Sequence, residues 1–242
     1  MKDKLKSLIQ RIVVFKNWYR FVYPFNRNRY NVIAELRGGV KFIVRDIRSN
    51  DFSTLLAIAG DDSYRLSAIR SPHVILDVGA HIGFFSILAA RRFPEATVIA
   101  VEPDADNYAL LLKNIALNGL TNVLTHHVAV AGDYGTVTFY QSKNTVAHSL
   151  FNTLDDSPLK NVEVNAVPLS HFKDVDVLKF DAEGAEYLVK EFPRVSYIAM
   201  EIHKIEEQNM QGLINTLKST YHVLIEKVEK TGHVTIVGVR EL

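Results

Sequence analysis

Between positions 74 and 83 the chain reads VILDVGAHIG, an almost wholly apolar strand that runs into a glycine turn and then into the helical stretch 84–92. A strand without polar alternation is buried on both faces, and that happens in parallel sheets covered by helices. The same texture repeats downstream, with apolar runs at 97–101, 123–128, 175–181 and 197–202 and helical segments after Gly83, Asp104, Gly184 and Lys204. Such alternation predicts βαβ units around a mostly parallel sheet, a Rossmann-like α/β fold. Two closing runs, 221–228 and 234–239, flank Thr231-Gly232 and predict an antiparallel C-terminal hairpin that brings the sheet to seven strands.

The glycine turn is also half of a nucleoside-binding signature. Gly79 lets the chain turn tightly and lets a ligand approach the backbone, with Ala80 and His81 following it, and Gly83 permits close packing of the helix on the sheet. About 20 residues on, Glu102 and then Pro103 end the second strand, where a carboxylate can accept both hydroxyls of a ribose. A dinucleotide fingerprint wants G-x-G-x-x-G, whereas His81 stands at the middle glycine and the spacing is G-x-x-x-G, a poorer cradle for a pyrophosphate. Asp77, two residues before Gly79, repels phosphate and suits an ammonium. S-adenosylmethionine carries an ammonium and a sulfonium but no phosphate, and is the expected cofactor. A nicotinamide dinucleotide, with oxidoreductase chemistry, is the lesser alternative. Topology alone places His127, Ala129 and Val130 at the adenine edge.

The 175–181 strand leads into Ala182-Glu183-Gly184-Ala185-Glu186, so Asp181 and Glu183 are expected at the same sheet edge as Gly79 and Glu102. Asp181 can hold the cofactor's ammonium or orient a substrate hydroxyl, and Glu183 can take a proton. Glu186 stands four residues before Lys190, the spacing of a surface ion pair on a helix. Alternation puts Glu201 and His203 on one side of their strand, where a neutral His203 is a reasonable general base and Glu201 its orienting partner. A polar pair that simply closes the strand is the competing reading, and His148 is a second base candidate. Asp181, Glu183, Glu201 and His203 offer oxygen and nitrogen ligands for a divalent ion, but without diagnostic spacing, so a metal is open and not favoured.

Residues 1–71 read as an extension to a domain at 72–242. Leu5, Leu8, Ile9, Ile12 and Val13 fall at helical spacing among Lys4, Lys6 and Arg11, a basic amphipathic helix. Its stripe docks on its own domain or, helped by Trp18, Tyr19, Phe21, Tyr23 and Phe25, residues 1–30 meet a membrane surface or a partner. Runs at 31–36 and 40–45 around Arg37-Gly38-Gly39 predict a hairpin, and 51–59 a short helix. Between His127 and Val175 the rhythm breaks: strands at 135–140 and 162–167 bracket a polar loop with Asn144, His148, Ser149 and Asn152, a candidate substrate lid.

Composition narrows the partners. The first 30 residues carry eight Lys/Arg and one acid, so a net charge of +1 leaves the rest of the chain at −6, a poor surface for a phosphate backbone. Nucleic acid is not expected. With no cysteine among 242 residues, thiolate metal sites, disulfides and cysteine nucleophiles are absent. The apolar run 12–15 is bounded by Arg11 and Lys16, far short of the roughly 20 residues a span requires, and a cytoplasmic location is the default expectation.

Taken in order, VILDVGAHIG, VEPDADNYALLLKNIALN, VDVLKFDAEGAEYLV and AMEIH resemble the FkbM-type methyltransferases over roughly residues 72–203. The resemblance implies a class I methyltransferase fold, S-adenosylmethionine as donor, and O-methylation of a sugar-like or other small polar hydroxyl compound. That family commonly has Asn where His81 stands. The rival expectation is a non-catalytic scaffold that keeps the nucleoside pocket and uses the basic N-terminal helix for contact.

Overall fold

The computed structural model of the protein describes residues 9–21, 31–45, 50–141, 150, 160–205, 208–228 and 232–240. Most of the polar loop, His148, Asn144, Ser149 and Asn152 included, lies outside them. So do residues 1–8 and 22–30, with Leu5, Leu8, Tyr23 and Phe25.

The expected N-terminal hairpin forms between Val32–Glu35 (β1) and Lys41–Val44 (β2), with Gly39 in the left-handed region its turn requires. A helix, Asn50–Gly60 (α1), follows. Then come Val74–Val78 (β3), Phe84–Arg92 (α2), Thr97–Val101 (β4), Ala105–Leu117 (α3) and Val123–His126 (β5). Asp104 caps α3 by accepting from the N–H groups of Asp106 and Asn107. Asn118 ends that helix as expected but does more. Its amide and that of Asn114, one turn earlier, bond the backbone of Lys41 and Ile43 at 2.6–3.2 Å, so α3 supplies β2 with the hydrogen bonds of a missing strand.

The third strand stops two residues earlier than the apolar pattern predicts. After His126 the chain leaves the main sheet, and Ala129–Ala131 (β6) joins Gly135–Gln141 (β7) and Lys160–Pro168 (β8) in a second sheet of order β6-β8-β7. The main sheet resumes with Val177–Phe180 (β9) and Tyr197–Ile202 (β10), and closes after helix Met210–Thr220 (α4) with His222–Val228 (β11) and Val234–Val239 (β12).

Seven strands make that sheet, in the order β11-β12-β10-β9-β3-β4-β5. Strands β11 and β12 pair antiparallel as predicted, but β12 inserts between β11 and β10, where it is the strand that runs against its neighbours. Beyond β9 a helix is expected and only a single 3-10 turn forms, Ala185–Tyr187. Glu183 and Gly184 both have positive φ, 50° and 107°, which interrupts helical propagation, and the Glu186 carboxylate bonds back to the Gly184 N–H at 2.9 Å.

Residues on either side of position 72 share one core. Phe15, Ala34, Phe42 and Val44 are buried in the same cluster as Ile82, Phe84, Ile87 and Leu111, and the rings of Phe42 and Phe84 meet edge to face at 5.1 Å. Within the described part of the N-terminal helical segment Ile9 and Val13 stay exposed, while Phe15 is fully covered. Among the described residues no helix is long and apolar enough to cross a membrane.

Candidate active site

Strand order reverses direction between β3 and β9, and open α/β sheets hold ligands at such a switch point, outside the carboxyl ends of the strands. Val78 and Phe180 are register partners there. The residues that follow them, Gly79 and Asp181, are packed so closely that a Cβ on Gly79, itself at φ 74°, would overlap the Asp181 carbonyl oxygen. A cavity of about 690 Å³ opens at this point.

Gly79, Ala80, His81, Glu102, Pro103 and Ala129, all from the expected cofactor set, line it. Glu102 is anchored by the His81 N–H on one oxygen at 2.7 Å and the Asp104 N–H on the other at 2.9 Å. The oxygen held by Asp104 also accepts from the Asn107 side-chain amide at 3.4 Å, while the one held by His81 keeps a second lone pair for a ligand hydroxyl. Burial pushes the Glu102 carboxyl up to about 7 against the opposing pull of those backbone donors. Asp181, Glu183 and Glu201, from the expected chemical set, line the same cavity.

Asp77, Gly83 and His203 are not on its wall. Asp77 is 0% exposed: its Oδ1 lies 3.0 Å from the Lys179 ammonium and its Oδ2 accepts from Ser86 Oγ at 2.5 Å. The β3–β9 register places Asp77 and Lys179 side by side, so this acid is paired inside the sheet and does not line the cavity. Gly83 starts α2 at φ 96°, where a Cβ would press on the Leu111 side chain, so it permits close helix packing.

His203 sits one layer behind the cavity at 4% exposure. Its Nε2 is 3.2 Å from Glu183 and 3.7 Å from Asp181, and its Nδ1 is 3.1 Å from Glu186. Burial alone would lower its pKa, but Glu183 and Glu186 reverse that and hold it well above the ordinary imidazole value. That shift favours the protonated ring, the opposite of the neutral base the sequence suggests. Nor does Glu201 orient it. Glu201 lies 3.5 Å from the Tyr64 hydroxyl and 3.8 Å from His233 Nδ1, while Glu186 is the partner of His203. Glu186 is thus not a surface residue: it is 1% exposed, and Lys190 pairs instead with Asp133 at 2.7 Å.

Four participants were missed in the sequence. Glu186 was assigned to a helix that does not form. Lys179, a cation in mid-strand, donates to the Gly79 carbonyl at 2.7 Å and lies 3.9 Å from Asp181; a buried charge in an apolar run is the signal that would have found it. Tyr64, just beyond α1, donates to Asp181 at 2.7 Å. Arg45 forks onto the buried Asp51 at 2.7–2.9 Å and places an Nη2 2.7 Å from His81 Nε2. Burial, with Arg45 and Lys179 adding to it, lowers the His81 pKa to about 4, so its ring is neutral. Asp181 is kept below the ordinary carboxylate value: burial would raise it, but Lys179, His203 and the Tyr64 hydroxyl outweigh burial.

A seven-stranded sheet in this order, with one inserted antiparallel strand and a cavity at its switch point, defines the class I methyltransferase fold. Residues 77–231 match the Methyltransferase FkbM domain. The chain belongs to that family. It is 25% identical over 150 residues to "Methyltransferase 1" of Beauveria bassiana (strain ARSEF 2860), covering 52% of this chain and 60% of that one. It is 35% identical over 78 residues to "Methyltransferase sdnD" of Sordaria araneosa, covering 32% and 30%. The matched stretches therefore span less than two thirds of either relative. Among solved structures it is similar to P. horikoshii TYW2 in complex with MeSAdo, at 14% identity and a TM-score of 0.48 over 87% of this chain and 72% of that one.

Proposed function

We propose that this chain transfers the methyl group of S-adenosylmethionine to a hydroxyl of a small polar or sugar-like acceptor. One observation carries the reading: a single cavity of about 690 Å³ is lined both by the glycine turn with Glu102 and by the carboxylates of Asp181, Glu183 and Glu201. The first set suits an adenosine, because Gly79 leaves the backbone bare and Glu102 keeps acceptor capacity for a ribose hydroxyl at the end of β4. The second suits a hydroxyl that must be oriented and relieved of its proton.

When bound, S-adenosylmethionine supplies an electrophilic methyl on a sulfonium. The chain's part is alignment, exclusion of water and acceptance of a proton. Asp181, kept ionised by Lys179 and Tyr64, is placed to hold an ammonium or a substrate hydroxyl. Glu183 and Glu201 are the carboxylates placed to receive the acceptor's proton, with His203 stabilising Glu183 from behind. Proximity supplies much of the acceleration, and the proton acceptor on the order of 10²- to 10⁴-fold.

Calorimetry with S-adenosylhomocysteine and a methyl-transfer assay on a panel of hydroxylated acceptors test the reading. Glu102→Ala is expected to weaken binding of the nucleoside, whereas Asp181→Ala and His203→Ala lower turnover, the latter with the nucleoside still bound. Unchanged affinity in the Glu102 variant would overturn the ribose assignment, and no binding of donor or product by wild type would overturn the whole reading.

A further inference from the structure

We propose that Asp181, Glu183 and Nε2 of His203 form a binding site for one divalent first-row transition-metal ion at the carboxylate end of the cavity. One ligand atom from each of the three lies within 4.8 Å of the other two. Donors on one octahedral ion with bonds of about 2.1 Å stand about 3–4 Å apart, so small side-chain rotations complete the site. A second triad, Glu201, His203 and His233, meets the same criterion and shares His203.

The histidine is mounted as a ligand. Glu186 lies 3.1 Å from its Nδ1 and also binds its backbone N–H at 2.7 Å, which aims Nε2 at Glu183 and Asp181. A carboxylate behind a ligating imidazole fixes both tautomer and ring orientation. Charge points the same way. Three carboxylates (Asp181, Glu183 and Glu186) converge on His203 at 3.1–3.7 Å, and Lys179 is closer to Asp77 at 3.0 Å than to Asp181 at 3.9 Å. An ion here takes the place of the Nε2 proton, which passes to solvent. Imidazole mixed with carboxylates suits Mn²⁺, Co²⁺ or Zn²⁺ better than an all-oxygen ion such as Ca²⁺. On the methyl-transfer reading above, the ion faces the acceptor, favours one with two adjacent oxygens that chelate it, and leaves Glu201 to take the proton.

Tag-free protein is titrated with Mn²⁺, following the paramagnetic resonance of the free aquo ion, with and without S-adenosylhomocysteine. The expected result is saturable uptake of one ion per chain. Glu183→Gln and His203→Gln each weaken uptake by at least about tenfold, and Glu186→Gln by about tenfold, the usual cost of removing a residue behind a ligand. His222→Ala, on the exposed edge strand β11, leaves uptake unchanged. Circular dichroism melts confirm that each variant is folded, and Glu183→Gln decides if His203→Gln is not. The proposal is overturned if wild type takes up none of Mn²⁺, Co²⁺ or Zn²⁺ at one per chain, or if folded Glu183→Gln binds like wild type. Calorimetry with S-adenosylhomocysteine on the same samples separates the two readings: ion uptake without nucleoside binding sinks methyl transfer alone, and nucleoside binding without ion uptake sinks the metal site alone.

Discussion

Glu186 holds His203 by backbone and ring together: its Oε1 accepts from the His203 N–H at 2.7 Å and lies 3.1 Å from Nδ1, while its Oε2 accepts from the Gly184 N–H at 2.9 Å. One buried carboxylate thereby ties the turn after β9 to the end of β10 and fixes the spacing of Asp181, Glu183 and His203. Replacing Glu186 with Ala strands two backbone donors and the buried His203 ring. A loss of about 3–5 kcal/mol is expected in urea unfolding, the range for removing one member of a buried pair. A variant that loses less than 1 kcal/mol on that scale would show that the carboxylate is not holding this junction.

Lys179 and Asp77 are neighbours across two central strands, 3.0 Å apart. Lys179→Met leaves Asp77 buried without its counter-charge and is expected to cost about 3–5 kcal/mol, whereas Lys179→Met with Asp77→Asn recovers much of that loss because both charges are gone. A double-mutant cycle in urea measures the coupling. Additive effects would mean that the two groups do not interact as the distance indicates.

Burial raises the Glu102 carboxyl to about 7, so at pH 6 it is mostly protonated and at pH 8 mostly ionised. A ribose diol donates to the ionised form. Affinity for 5′-methylthioadenosine, which has no amino-acid part to titrate, should therefore rise about tenfold from pH 6 to pH 8, following the ionised fraction. Glu102→Gln should bind more weakly and with a flat profile. The stability effect has the opposite sign. Because the folded pKa lies above the unfolded one, the contribution of Glu102 is fully present below the unfolded value and is lost as pH rises through about 7.

The two glycines of the motif should respond differently to alanine. At Gly79 the new methyl meets backbone, the Asp181 carbonyl; at Gly83 it meets the far end of the Leu111 side chain, which can shift. Both positions also have positive φ, a cost of order 1–3 kcal/mol for a non-glycine residue. Gly79→Ala is expected to abolish nucleoside binding and to unfold at the lower temperature of the two, and a reversed order in a thermal melt would refute that ranking.

Phe15 is 0% exposed and Val13 is 63% exposed, two residues apart. Phe15→Ala is expected to cost about 3–5 kcal/mol, and Val13→Ser less than about 0.5 kcal/mol. Deleting residues 1–30 therefore removes part of the core and should lower the melting temperature, a result that thermal unfolding with and without S-adenosylhomocysteine can check.

Local pattern was enough to place the strands. A run such as VILDV can satisfy its backbone and bury both faces only inside a helix-covered sheet, and the glycine after it marks where the chain turns over a ligand. The positions of Gly79, Glu102, Asp181 and Glu183 at one sheet edge follow from that alternation, because every parallel strand delivers its carboxyl end to the same side. The partners of those residues do not follow. Asp77 was read as facing a ligand and is instead bound by Lys179, Glu201 was read as the partner of His203 and that partner is Glu186, and nothing near Tyr64 or Arg45 in the chain announces that each reaches the site. Strand order and register bring these side chains together, over 102 positions between Asp77 and Lys179 and 117 between Tyr64 and Asp181. Periodicity records which face of its own element a residue occupies. Only the packed sheet decides which charge lies opposite it, and in a buried site that neighbour sets the protonation state.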